Sequence, residues 1–175
     1  MNLITVRTNF FKHTEGITTV SEKETPVASS EFTYILPYPG ILPHHPLYFL
    51  KNLRDKIVEL MITNPISKSD FYVLQADKSL SAAMFLLDQE QEDIAVETII
   101  HAEQFLTRAV DELARAKESG KVIPSETFEH ITQALLKHQE VLQGILTGRE
   151  TLTSSSFPSL LEAIADNRTR VDNLK

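Results

Sequence analysis

The chain has 175 residues, 42% of them hydrophobic and 23% charged, a balance that suits one globular domain with some unpacked chain. A formal charge of -7 without any Lys/Arg cluster excludes a general nucleic-acid surface, which needs grouped cations facing phosphates. The absence of cysteine excludes disulfides, thiolate catalysis and Cys-based zinc sites, and no apolar run approaches the roughly 18 residues of a membrane span, so no membrane insertion is expected.

Residues 1–33 are rich in Thr, Ser and Glu and have little to bury beyond a β-leaning patch at Leu3 to Phe11, so they read as a flexible, mostly disordered arm with at most a short strand. MNLITVRTNFFKHTEG lacks the basic start and apolar core of a secretory signal, and no signal peptide is expected. Residues 34–46, YILPYPGILPHHP, follow as a proline-rich lead-in, because prolines at this spacing favour extended backbone and forbid a regular helix.

At Pro46 the period becomes helical. Leu47, Leu50, Leu53 or Arg54, Ile57, Leu60 and Met61 predict an amphipathic helix α1 over about 46–62, begun by Pro46 and ended by Asn64-Pro65. Helix α2 is expected over about 68–88 from a Ser67 or Ser69 cap, and DQEQED forms a tight polar turn into α3 over about 91–118, which Ser119-Gly120 stops. Pro124-Ser125-Glu126 opens α4, about 124–147, and the capping box Ser159-Leu160-Leu161-Glu162 opens α5, about 159–172. The helical domain thus covers 47–175, an all-α antiparallel bundle of four to five helices.

Two seams set the packing. Val73, Ala76, Leu80, Ala83 and Leu87 on α2, and Ala95, Ile99, Ala102, Leu106, Ala109 and Leu113 on α3, recur at heptad spacing and alternate small with large. An antiparallel register pairing Leu87 with Ala95 and Val73 with Ala109 sets an alanine against a larger residue at every level, which predicts a tight α2–α3 hairpin. On α4 the seam Phe128, Ile131, Leu135, His138, Leu142 and Ile145 pairs with α3 so that Glu103 faces His138. This register makes α3 central between α2 and α4, with α1 and α5 closing the remaining sides.

His138 is the one polar break in the α4 seam. Facing Glu103, it is either a structural pair that fixes register, or a pH-sensitive element or half of a metal site. Glu97/His101 and Glu126/His130 are i,i+4 pairs too far out of step to share a metal, and His44-His45 are adjacent residues pointing apart. No nucleotide-binding glycine pattern, Gly-x-Ser-x-Gly or His-Glu-x-x-His occurs, so no catalytic residues are assigned; TLTSSSF reads as a linker and DQEQED as a solvated turn.

Leu36 to Lys56, LPYPGILPHHPLYFLKNLRDK, resembles the signature of an uncharacterised family of prokaryotic all-helical domains, in which a segment like L-P-Y-P-G-I-L-P-x-x-P-L-Y-x-L-K-x-L-R-D leads into long Ala- and Leu-rich helices. Pro37, Pro39, Gly40, Pro43, Pro46, Leu47, Tyr48, Leu50, Lys51, Arg54 and Asp55 match, and the likeness continues to about residue 118. Members often look exported or membrane-tethered, so the resemblance implies an extracytoplasmic setting, but it carries no catalytic residues. This chain departs from the pattern in its His44-His45 pair and in lacking a hydrophobic leader.

The expectation is a non-enzymatic, cofactor-free structural or protein-interaction module, with an unidentified protein partner or self-association. Tyr34, Pro37, Tyr38, Pro39, Gly40, Pro43, Pro46 and Tyr48 are its candidate interaction residues. The alternative is a small-molecule or metal-binding bundle using Glu103 and His138.

Overall fold

The computed structural model describes residues 34–149 and 156–175, so the expected N-terminal arm and most of the TLTSSSF segment lie outside the described residues. Five helices follow in order: α1 Tyr48–Met61, α2 Pro65–Asp88, α3 Glu92–Glu118, α4 Ser125–Gly148 and α5 Ser156–Leu174. The described residues contain no strand.

The helix ends follow from local chemistry, and three differ from the sequence reading. Asn64-Pro65 ends α1 but also begins α2: the Asn64 carboxamide oxygen accepts from the Ile66 N–H at 3.0 Å and Pro65 takes the first helical position, where no N–H is needed. Ser69 is therefore no cap; it is buried and donates to the Ala109 carbonyl at 2.9 Å. Helix α5 starts before its expected capping box because Pro158 falls in the first turn, where proline is tolerated. Pro46 likewise precedes α1, and the His45 ring nitrogen accepts the Leu47 N–H at 3.1 Å just before the helix.

Both tight turns use left-handed backbone. Gly120 (φ 71°) ends α3, with the Gly120 and Lys121 N–H groups donating to the Lys117 and Ala116 carbonyls. Glu90 (φ 59°) ends α2 in the same motif, with Glu90 and Gln91 donating to Leu87 and Leu86. A side chain at that φ is unfavourable, so the α2–α3 turn is held by the packing on either side of it.

That packing is the alanine seam. All ten residues of the expected α2–α3 register, from Val73 to Leu87 and from Ala95 to Ala109, are buried in one core. Tyr72 stacks on Phe105 and Lys68 reaches Glu112 at 4.0 Å, which places the two helices within about one turn of that register. The α3–α4 register also appears: Glu103 meets His138, and at the far end Glu92 lies 3.8 Å from Arg149.

The ring order differs from the expectation. Helix α3 neighbours α2 and α5, while α3 and α4 approach closely at only a few points across the bundle. The four-helix ring therefore runs α2–α3–α5–α4. Asn167 donates to Thr107 and Arg170 to Asp111, so α5 lies parallel to α3. Heptad-spaced Phe157, Ile164 and Val171 on α5 fill the wedge between α3 and α4.

Helix α1 stands outside this ring and contributes no buried residue. Tyr34 and Leu36 pack against the core from the α2/α4 side, whereas Pro43 and Tyr48 line a hollow on the α2/α3 side. The lead-in thus crosses over α2, with Gly40 (φ 74°) and a Leu42–His45 turn around Pro43 redirecting the chain on the way.

Candidate functional site

Three helices and the lead-in converge on one buried polar centre. His138 from α4 is 0% exposed; its Nδ1 lies 2.7 Å from Glu103 Oε1 on α3 and its Nε2 lies 3.2 Å from Asp77 Oδ1 on α2. Burial alone would push the imidazole pKa down, but hydrogen bonds to Asp77 and Glu103, reinforced by both negative charges, raise it to about 9. At neutral pH His138 is an imidazolium donating from both nitrogens, which matches two acceptor-only carboxylates.

The fourth member is Tyr34, whose hydroxyl donates to Asp77 Oδ2 at 2.6 Å. Burial, then the Asp77 hydrogen bond and charge, push the Tyr34 pKa well above its ordinary value, so the phenol stays a donor. Its ring lies 6.1 Å from His130, which pairs at 3.8 Å with Asp70 and not with the expected Glu126. The lead-in is thus hydrogen-bonded into the charge network of the bundle.

This centre is a clamp. Asp77, Glu103 and His138 are all buried, and the two carboxylates sit on opposite ring nitrogens, so they do not converge on one cation. Among the described residues no group of three His, Asp or Glu side chains could hold a metal ion. His101 and Glu97 form a separate exposed contact at 3.9 Å.

On the α2/α3 side, α1 covers a hollow of about 390 Å³ lined by Tyr48, Lys51, Phe71, Gln75, Glu97 and Arg108, among others. The face of α1 turned toward it is polar. Lys51 pairs with Asp55 at 3.3 Å and lies 5.3 Å from the Tyr48 ring centre, and Glu59 accepts from the Tyr72 hydroxyl at 2.6 Å. Burial and then the Glu59 contact push the Tyr72 pKa up to about 12, and burial together with Asp55 raises that of Tyr48. Arg108 lies over the Tyr72 and Phe105 rings on the floor, so the surface beneath α1 offers polar and π contacts.

The apolar face of α1 consequently points outward. Leu50, Leu53, Ile57 and Leu60 are 48%, 53%, 51% and 83% exposed, with Leu47, Phe49, Val58 and Met61 exposed beside them. This reverses the expected orientation of α1. A periodicity reveals that a helix has two faces; which one turns inward depends on the surface it meets, and here Gln75, Gln104 and Arg108 select the polar one.

The candidate interaction residues divide accordingly. Tyr34 is docked on its own bundle and Pro37 and Pro39 are half-buried, whereas Tyr38 is 81% exposed. Gly40, with its left-handed backbone, and the turn residue Pro46 are exposed, and Pro43 and half-buried Tyr48 line the hollow. The Glu103–His138 pair forms as expected, but Asp77 and the role of Tyr34 were missed. Asp77 stands four residues after Val73 and three before Leu80, both seam residues, a spacing that hints at an inward position.

No protein-family model, curated protein or solved structure matches the chain.

Proposed function

We propose that the protein is a non-enzymatic interaction module in which the α2–α5 ring is a platform and the outward face of α1 is the docking surface. The observation that carries this reading is the orientation of α1: seven large apolar side chains exposed on one helix and an eighth, Leu47, at its cap, with both of its acids, Asp55 and Glu59, turned toward the bundle. Apolar patches of this size mark interaction sites. The sealed Tyr34–Asp77–His138–Glu103 centre fits the platform role, since a charged clamp at the meeting point of α2, α3 and α4 fixes their register. The alternative, a metal or small-molecule site at Glu103 and His138, is weakened by the occupation of both ring nitrogens.

The test is Leu53→Glu with Ile57→Glu, followed by thermal unfolding at low protein concentration and by binding of an environment-sensitive hydrophobic dye. A free docking face predicts a stability change within about 1 kcal/mol, because exposed positions tolerate substitution, together with loss of dye binding. A drop of several kcal/mol would mean that the protein's own chain covers this face, and the reading would be wrong.

A further inference from the structure

Resting on α1 as the docking surface, we propose that its partner is a second copy of this chain, joined through an antiparallel pair of α1 helices about a two-fold axis. Leu50, Leu53, Ile57 and Leu60 are spaced three, four and three apart, which is an a/d seam of two heptads, and all four point outward. Run antiparallel against itself, the seam is self-complementary: Leu53 of each copy faces Ile57 of the other, and Leu50 faces Leu60.

The flanks decide the occupant. The charged residues beside the seam are Arg54 and Lys56, at e and g positions. In the antiparallel pair Arg54 flanks Met61 of the second copy and Lys56 flanks Phe49, so each long stem covers an apolar side chain, while the heads of Arg54 and Lys56, which also flank their own two-fold mates, extend to solvent. The antiparallel arrangement also opposes the two helix macrodipoles.

The area fits as well. The eight side chains expose on the order of 800 Å², which is the share of one partner in a standard-size interface. An anionic lipid surface is the poorer match, because the chain carries a formal charge of -7 and a flat surface has no use for a heptad seam.

Sedimentation velocity across a concentration series tests the pairing. A reversible monomer–dimer equilibrium is expected, weakened at least tenfold by Leu53→Glu. The cysteine-free chain then allows orientation to be read directly. Oxidising a mixture of Leu53→Cys and Ile57→Cys chains should give mainly the mixed disulfide, whereas a parallel pair would cross-link each variant to itself.

Wild-type protein that stays monomeric at every concentration overturns the proposal, and so does a dimer indifferent to Leu53→Glu. If the monomer instead floats with phosphatidylglycerol vesicles and Leu53→Glu abolishes this, the occupant is lipid and the pairing is refuted. None of these outcomes touches the underlying reading, which fails if the Glu substitutions cost the folded monomer several kcal/mol.

Discussion

The buried imidazolium makes stability depend on pH in a direction that can be stated in advance. His138 ionises at about 9 in the folded chain against 6.5 for an unperturbed imidazole. The folded state therefore binds its proton more tightly, and the resulting stabilisation is fully present below about pH 6.5 and is lost as pH rises through about 9. At about 1.4 kcal/mol for each unit between the two values, the loss is on the order of 3 kcal/mol. Urea unfolding at half-unit steps from pH 6 to 10 should show the midpoint falling by about 1.5 M across that window, for a slope of about 2 kcal/mol/M. The informative variant is Asp77→Asn with Glu103→Gln, which keeps shape but removes both charges. Burial then acts alone on His138 and depresses its pKa, so the decline between 6.5 and 9 disappears and stability instead rises with pH on the acid side of 6.5. A wild-type midpoint that stays flat from pH 7 to 9, or a double variant that declines in parallel with it, would refute the charged clamp.

Two further substitutions probe the packing around it. Tyr34→Phe removes the donor to Asp77 Oδ2 and leaves that buried oxygen short of a partner, so it should cost about 1–3 kcal/mol in denaturant unfolding; no measurable loss would mean that the lead-in is not docked. Ala76→Leu and Ala102→Leu, both at fully buried seam positions, should each overpack the α2–α3 interface by about 1–3 kcal/mol. An unchanged melting temperature for both would exclude the alternating seam.

Much of the bundle was legible because its signals are local or pairwise. The α2 and α3 seams announce themselves through alanines at heptad positions, and His138 stands out as the one polar residue in an apolar stripe, which is why Glu103 could be placed opposite it. What depends on three bodies at once was not legible. Asp77 neighbours seam residue Ala76 and reads as a solvated residue until α4 is known to lie parallel beside α2. The ring order escaped for the same reason: Phe157, Ile164 and Val171 bring α5 beside α3, and pairing helices in chain order cannot anticipate that. Asn64-Pro65 reads as a stop alone, although an Asn-Pro pair that halts one helix also supplies the cap and the first residue of the next.

The path of the lead-in around α2 also determines where tension goes. A pull arriving from upstream reaches Tyr34 and Leu36 before it reaches α1, and these two lie along the α2/α4 groove. A load along the helix axes would shear both anchors together instead of peeling them off in turn. Pro37 and Pro39 fix φ at two positions of the next stretch, which limits the slack that a pull could take up there. Helix α1, fastened separately through Glu59 and Tyr72, sits behind that grip, and its outward face would keep its position while the other end of the chain is under strain.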